Sequence, residues 1–146
     1  MTKVILMVAI ALAACKGKKS GEPADDKATG VPATVTAEDR ALIDRWAVLY
    51  GDYAAALEAA GVDCAKAAAG VREVNGKNAD LIAKGKPRLQ ALRGEPAAAR
   101  WIDETYKPKL GAALDRMAPL LDSCRGNADL SAALADGPFS RKDQPR

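Results

Sequence analysis

The chain has 146 residues, with 22 basic and 19 acidic side chains and a net charge of +3. This near balance gives no reason to expect a nucleic-acid partner, because such partners require a strongly basic surface. The sequence contains no histidine, which excludes Ser-His-Asp and Cys-His catalysis, haem ligation through imidazole, and the HExxH zinc and ExxH di-iron sites. We therefore predict that the protein is not an enzyme and carries no cofactor and no metal ion.

The first 15 residues have the pattern of an export signal. Lys3 precedes an apolar run over residues 4–14, and Cys15 follows this run directly. A basic start, a short apolar core and small residues at a cleavage site are the parts of a signal peptide. The run is too short to span a membrane, which takes about 20 apolar residues. Residues 1–14 are therefore predicted to be a signal peptide.

Four residues at this junction resemble the lipobox of bacterial lipoproteins: Leu12, Ala13, Ala14 and Cys15. The resemblance implies that diacylglycerol is attached to the Cys15 sulfur, that the chain is cleaved before this residue, and that the new amino terminus is acylated. It also implies a place in the cell envelope, anchored to a membrane with the domain facing the periplasm. Lys16 follows instead of the aspartate that retains many such proteins at the inner membrane, which favours the outer membrane. An ordinary secretory signal is the alternative, and it would leave Cys15 as an exposed thiol.

The rest of the chain divides into a tether, a domain and a tail. Residues 15–35 show no apolar periodicity and are predicted to be a lipidated cysteine followed by a flexible tether. Such a chain has a root-mean-square span of about 25 Å, so the domain would stay close to the membrane. Residues 36–136 are predicted to form a helical domain, because alanine is abundant and has the highest helix propensity. Residues 137–146 are predicted to be a disordered tail.

The first predicted helix begins after Thr36, whose hydroxyl can cap backbone amides while Asp39 lies three positions further on. Gly61 is predicted to end it, because glycine readily adopts the left-handed conformation common at helix ends. Apolar side chains recur at spacings of three and four, typical of a bundle helix: Ile43, Trp46, Tyr50, Tyr53, Leu57 and Ala60. The aromatic residues could instead form a binding wall, but their shared face favours core packing.

Asp63 is predicted to cap the second helix, and so short a connection makes the first two helices antiparallel neighbours. One face of this helix carries mostly apolar residues: Cys64, Ala67, Val71, Val74, Asn78, Leu81, Ile82, Leu89 and Leu92. Pro87 is predicted to kink or break the helix, because proline lacks an amide hydrogen and clashes with the carbonyl four residues earlier. Asn78, with Asn75 near it, is predicted to fix the register between helices. A ligand-facing role is the alternative for this amide.

Gly94 and Pro96 mark the turn into a third predicted helix. Its apolar face contains Trp101, Ile102, Tyr106, Leu110, Ala113, Met117, Leu120, Leu121 and Cys124. Pro108 and Pro119 are each predicted to bend this helix, and a break at Pro108 would convert a three-helix bundle into a four-helix bundle. Asn127 is predicted to cap a short last helix that contains Leu130, Ala133 and Leu134.

Cys64 and Cys124 are predicted to form a disulfide. Gly94 lies 30 residues after the first and 30 residues before the second, so two helices that fold back at Gly94 bring the cysteines together. Export would supply the oxidising compartment that the bond needs. Two separate buried thiols are the alternative. Neither cysteine has CxxC spacing, so a thioredoxin-like site and a zinc ribbon are not supported.

Four cations near the end of the second predicted helix form the remaining candidate site: Lys84, Lys86, Arg88 and Arg93. This end of the bundle is also where the tether attaches, and a cation near an anionic membrane surface contributes about 1 kcal/mol. One hypothesis is that these cations contact anionic headgroups. The alternative, which the acidic first helix alongside favours, is that they stabilise a helix carboxyl end.

Two pairs of adjacent carboxylates occur in the predicted helices, Glu38 with Asp39 and Asp103 with Glu104. Neighbouring residues on a helix point in directions about 100° apart, so neither pair converges on one point. Both pairs are predicted to be solvated surface.

These observations predict an all-α fold: an antiparallel three-helix bundle, with the four-helix arrangement as the alternative, closed by one disulfide and followed by a short C-terminal helix. The predicted function is that of a membrane-anchored binding or protein-interaction module, whose partner is an unknown envelope protein or small ligand. A structural or accessory lipoprotein without a ligand, and an enzyme without histidine chemistry, are the alternatives.

Overall fold

The computed structural model describes residues 30–139, and Cys15 lies outside them. Within this range the protein is all-helical, with five α-helices: α1 (Ala37–Ala60), α2 (Cys64–Lys77), α3 (Ala79–Arg93), α4 (Pro96–Ser123) and α5 (Ala128–Ala135). Helix α1 packs against both α2 and α4, while α5 covers α2 and α3 packs against α4. None of the helices in the described residues combines the length and apolar character needed to cross a membrane.

The predicted helix ends are confirmed where a single side chain determines them. Thr36 Oγ1 accepts a hydrogen bond from the Asp39 amide at 3.1 Å, and Asp39 Oδ2 accepts one from the Thr36 amide at 2.9 Å, which completes a capping box. Asp63 and Asn127 cap α2 and α5 through their side-chain oxygens. Gly61 ends α1 at a φ of +58°, a conformation that residues with a Cβ rarely adopt.

The second predicted helix is two helices, and the division lies at Asn78 instead of Pro87. Asn78 stands between α2 and α3, and its Nδ2 donates a hydrogen bond to the Val74 carbonyl at 3.0 Å. Local bonds of this kind are how asparagine competes with the helical backbone. Pro87 lies inside α3 without breaking it. Both Pro87 and Ala83, whose carbonyl loses its helical donor, are exposed, so water can satisfy that carbonyl.

Helix α4 continues through both of its internal prolines. Its 28 residues include Pro108 and Pro119, and both prolines lie on its exposed side. The break at Pro108 that the four-helix alternative required does not occur. Proline is tolerated here for the same reason as in α3: the residues whose carbonyls lose a donor, Glu104 and Asp115, are exposed, so water can satisfy those carbonyls.

The core has two parts, one at each end of α1. The larger part lies around the disulfide and includes Trp46, Leu49, Tyr53, Leu57, Val71, Met117, Cys124 and Leu130. The smaller part lies at the amino end of α1 and includes Val35, Ile43, Leu92, Ala98, Ile102 and Tyr106. Because Tyr53 is fully buried and Trp46 is nearly so, the predicted core role of these aromatic residues is confirmed.

The folded region is longer than predicted at both ends. Val35 is only 2% exposed and Val31 packs beside it, so residues 30–35 of the predicted tether are part of the domain. Phe139 contacts the rings of Tyr50 and Tyr53 edge-on, at centroid distances of 5.2 and 5.1 Å. Residues 137–139 of the predicted tail are therefore packed as well. A single valine or phenylalanine in a polar segment gives no periodic signal, so the packing of residues 30–35 and 137–139 could not be predicted from the sequence.

Gly85 allows α3 to approach α1 closely, and its replacement by alanine should be destabilising. A Cβ added there would lie 2.9 Å from both Leu42 Cδ1 and Trp46 Cζ3. We expect Gly85→Ala to lower the free energy of unfolding by about 1 kcal/mol, because the overpacking cost exceeds the gain in helix propensity. Gly111→Ala in α4 would meet no atom within 4 Å and is expected to raise it by about 0.5–1 kcal/mol. Urea unfolding measures both changes, and a stabilising Gly85→Ala would contradict the close approach.

Candidate functional site

Cys64 and Cys124 form a disulfide, as predicted, with 5.5 Å between their Cα atoms. The bond joins the start of α2 to the residue that follows α4. Cys124 is buried in the larger core and Cys64 packs against that core. Because both sulfurs are in the bond, neither is available as a nucleophile or a metal ligand while the bond is closed.

A buried polar contact links α1, α2 and α5 next to the disulfide end. The Tyr53 hydroxyl donates to Asn75 Oδ1, and Asn75 Nδ2 donates to the Ala133 carbonyl at 2.7 Å. Burial raises the pKa of the Tyr53 hydroxyl, so this group remains a protonated donor. The amide that bridges between helices is therefore that of Asn75. Asn78, to which the prediction gave this role, bonds to the backbone of its own helix.

Replacement of Asn75 by alanine is expected to lower the free energy of unfolding by about 2 kcal/mol, because it leaves two buried polar groups, the Tyr53 hydroxyl and the Ala133 carbonyl, without a partner. Asn78→Ala is the matched control. It removes one local bond and adds helix propensity, so a change below about 1 kcal/mol is expected. Urea unfolding compares the two variants. Equal losses would contradict the bridging role of Asn75.

At the other end of α1, Asp39 forms a buried ion pair with Arg88. Arg88 Nε and Nη2 donate to the two oxygens of Asp39, both at 2.7 Å, and the Asp39 side chain is only 6% exposed. The Thr36 amide and hydroxyl each donate to Asp39 Oδ2 at 2.9 Å. The hydrogen bonds from Arg88 hold the pKa of Asp39 well below its usual range. The prediction that Asp39 is solvated surface is therefore wrong, while Glu38 is exposed as predicted.

The four candidate cations lie on α3, but two of them lie beside carboxylates of the same chain. Arg88 is bonded to Asp39, and Lys84 Nζ lies 4.0 Å from Asp80. Lys86 is half-buried and Arg93 is exposed. For Arg88 the alternative interpretation, pairing with the acidic first helix, is confirmed. Contact with anionic headgroups stays a prediction.

An open groove with a volume of about 590 Å³ lies between α1 and α2, and the sequence does not predict it. Its floor consists mainly of small side chains: Ala55, Ala56, Ala59, Ala60, Ala69 and Gly70. Charged residues stand along its edges: Asp52, Lys66, Glu73 and Lys77. Alanine occurs both in cores and on surfaces, so its abundance did not mark the groove in the sequence.

The part of the chain covering residues 30–139 is thus a helical domain with a disulfide at one end, a buried ion pair at the other and an open groove along one side. Within that part, no three or more cysteine or carboxylate side chains are grouped so as to hold a metal ion. Comparison of the chain with protein-family models, with curated proteins and with solved structures gives no significant match.

Proposed function

We propose that the protein is a lipid-anchored lipoprotein of the cell envelope whose helical domain binds a partner and does not catalyse a reaction. The observation that carries the proposal is the Cys64–Cys124 disulfide. Such bonds persist in oxidising compartments outside the cytosol. The lipobox-like sequence that ends at Cys15 would send the chain to such a compartment, so two independent features of the sequence agree.

In this proposal α2 and α3 act as one bent arm, and the domain is an antiparallel three-helix bundle with α5 over the disulfide end. The short connection before α2 and the turn at Gly94 support this arrangement, because each reverses the chain. The Asp39–Arg88 pair then marks the end to which the anchor connects. Residues 15–29 can bridge at most about 50 Å when fully extended, so the domain stays near the periplasmic face of its membrane, the outer membrane in preference to the inner.

The binding role is supported by the groove between α1 and α2. Most small-ligand sites are concave and lined by apolar side chains with a few polar groups, but this groove is open along its length and edged by four charged residues. Such a surface fits a helix better than it fits a small molecule, because a helix covers a long shallow groove with one face. We therefore propose a protein partner.

The anchor is tested by metabolic labelling with a clickable palmitate analogue. Cells that express the full chain are expected to yield labelled protein, and Cys15→Ala is expected to abolish the label because the acyl chains depend on that residue. The double variant Cys64→Ser/Cys124→Ser retains Cys15 and should remain labelled. Equal labelling of the Cys15→Ala variant and the original protein would contradict the anchor.

The binding role is tested by crosslinking in living cells, followed by capture of the tagged protein and mass spectrometry. A partner that is recovered with the anchored protein and lost with Cys15→Ala would support an envelope interaction module. Recovery of the same abundant envelope proteins from both versions would contradict it.

A further inference from the structure

The two sulfurs of the Cys64–Cys124 bond differ in their access to solvent. Cys124 is only 4% exposed and belongs to the larger core, whereas Cys64 is half-buried and packs against that core from outside. The Cys64 Sγ lies 3.8 Å from the Val62 carbonyl oxygen, in a contact that is exposed. One end of the bond is therefore open to solvent, and the other end is enclosed by the packed interior.

The residues on both sides of Cys64 are exposed as well. Val62 is 82% exposed, Ala65 is exposed, and the Lys66 side chain is 75% exposed. Cys64 is also the first residue of α2 and follows the turn that begins at Gly61. A reagent can thus reach this cysteine across a turn and does not have to pass between packed helices.

The charged side chains next to the two cysteines do not distinguish them. Beside Cys64, the Lys66 Nζ lies 3.3 Å from Asp63 Oδ2, and beside Cys124, the Arg125 Nη2 lies 2.7 Å from Asp122 Oδ1. Each cysteine has one cation and one carboxylate close to it, and in both cases these two charges are paired with each other. Access to the sulfur is therefore the property in which the two ends of the bond differ.

Access decides how a disulfide exchanges with a thiol. A thiolate attacks one sulfur in line with the S–S bond, and the other sulfur leaves as a thiolate, so the reaction depends on which sulfur can be reached. Attack on Cys124 requires the reagent to enter the larger core, because so little of that residue is exposed. Attack on Cys64 takes place at the surface.

From this difference we infer that Cys64 is a thiol–disulfide exchange site. A thiol opens the Cys64–Cys124 bond by attacking Cys64, and a partner that contains a disulfide closes the bond through the same sulfur. The partner is a protein with a redox-active cysteine pair or a small thiol with its disulfide, since both offer the same chemistry. The inference goes beyond the binding role proposed above, and it depends neither on the lipid anchor nor on the groove.

Closure of the bond takes two steps. The Cys64 thiolate attacks the partner's disulfide, so a mixed disulfide forms at Cys64 and the partner's second sulfur leaves as a thiolate. The Cys124 thiol then loses its proton to water and attacks the Cys64 sulfur, and the partner's first sulfur leaves. The two cysteines lose two electrons, and the partner's disulfide gains them and becomes a dithiol. Opening is the reverse sequence, in which Cys124 leaves first.

The first test uses the unmodified full chain, which is treated briefly with reduced glutathione, blocked with N-ethylmaleimide and digested with trypsin. Cys64 and Cys124 fall on separate peptides, which end at Lys66 and Arg125, so mass spectrometry measures the glutathione adduct on each. We expect about tenfold more adduct on Cys64 than on Cys124, because access selects the attacked sulfur. In urea that unfolds the chain, the ratio should fall close to one.

Three results of this test would overturn the inference. They are equal adducts on the two cysteines of the folded protein, an excess on Cys124, and adducts that form only after urea is added. The last result would mean that the bond is reached only when the chain unfolds.

The second test identifies the partner with single variants of the full chain in intact cells. Cys124→Ser keeps Cys64 but lacks the thiol that would release the partner, so the mixed disulfide is trapped, and Cys64→Ser is the matched control. We expect about tenfold more adduct on Cys124→Ser. A reducible complex with another protein would identify a protein partner, and a gain of one glutathione in mass would identify a small thiol. Equal adduct levels on the two variants would contradict the inference.

Discussion

Replacing Cys64 and Cys124 together by serine is expected to lower the free energy of unfolding by about 4 kcal/mol. The two residues are 60 positions apart, and the bond reduces the entropy of the unfolded chain by closing that long loop. A domain of this size has a total stability of roughly 5–15 kcal/mol, so the double variant would keep only part of it. Urea unfolding of the oxidised protein and the double variant measures the difference.

Reduction provides the control for this experiment. A reductant should destabilise the original protein by a similar amount and should leave the Cys64→Ser/Cys124→Ser variant unchanged, because the variant has no disulfide in the domain. If the double variant unfolds within about 1 kcal/mol of the oxidised protein, the loop-closure account is wrong for this bond.

Arg88→Met is expected to lower the free energy of unfolding by about 2–3 kcal/mol at neutral pH, because it leaves the buried Asp39 carboxylate without its counter-charge. Methionine keeps an apolar stem of similar length, so the loss reports mainly on the charge. This value lies at or below the lower end of the range of about 3–5 kcal/mol for fully buried pairs, because the Arg88 side chain is 43% exposed. Urea unfolding at several pH values measures it.

The pH dependence of this variant follows from the lowered pKa of Asp39. A carboxylate whose pKa is lower in the folded state stabilises the protein above its unfolded pKa of about 3.9, and this stabilisation is lost as the pH falls toward the folded value. Arg88→Met removes the cause of the lowered pKa. The difference between the original protein and the variant should therefore be full at neutral pH and should shrink below about pH 4.

Arg116→Met is the matched control for Arg88→Met. Arg116 makes the same two-bond contact with Glu58 between α4 and α1, but both side chains are about half exposed, at 48% and 44%. Exposed pairs contribute about 0–1 kcal/mol, so Arg116→Met should cost less than Arg88→Met. Equal losses would show that burial of Asp39 does not strengthen its pair.

The parts of the fold that were predictable from the sequence depend on interactions within a few residues. The capping oxygens of Thr36, Asp63 and Asn127 bond to amides two or three positions away, and Gly61 ends α1 through its own backbone conformation. The disulfide was predictable as well, because two antiparallel arms of equal length must bring their far ends together whatever their detailed packing.

The parts that were not predictable depend on which side of a helix is covered. Pro87, Pro108 and Pro119 all lie on exposed sides, where a lost helical hydrogen bond can be replaced by water, so none of them ends a helix. Asp39 is charged but buried, and its ion-pair partner Arg88 lies 49 positions away in the sequence. Such facts follow from the tertiary arrangement and not from local spacing.

The candidate site shows the same division. Asn75 lies four residues after Val71 and one after Val74, so its position on the buried face was visible, but its partners on α1 and α5 were not. The groove between α1 and α2 was not predictable, because it is lined largely by alanine, which occurs both in cores and on surfaces.

The position of the disulfide also determines how the domain would respond to tension. The covalent loop contains α2, α3 and α4, whereas α1 and α5 lie outside it. A pull on the amino end, where the proposed anchor would hold the chain, would therefore act on α1 and the Asp39–Arg88 pair before it reaches the disulfide. Helix α1 would peel away first, and the extension would stop at Cys64, since the closed loop between the two cysteines cannot lengthen until it is reduced.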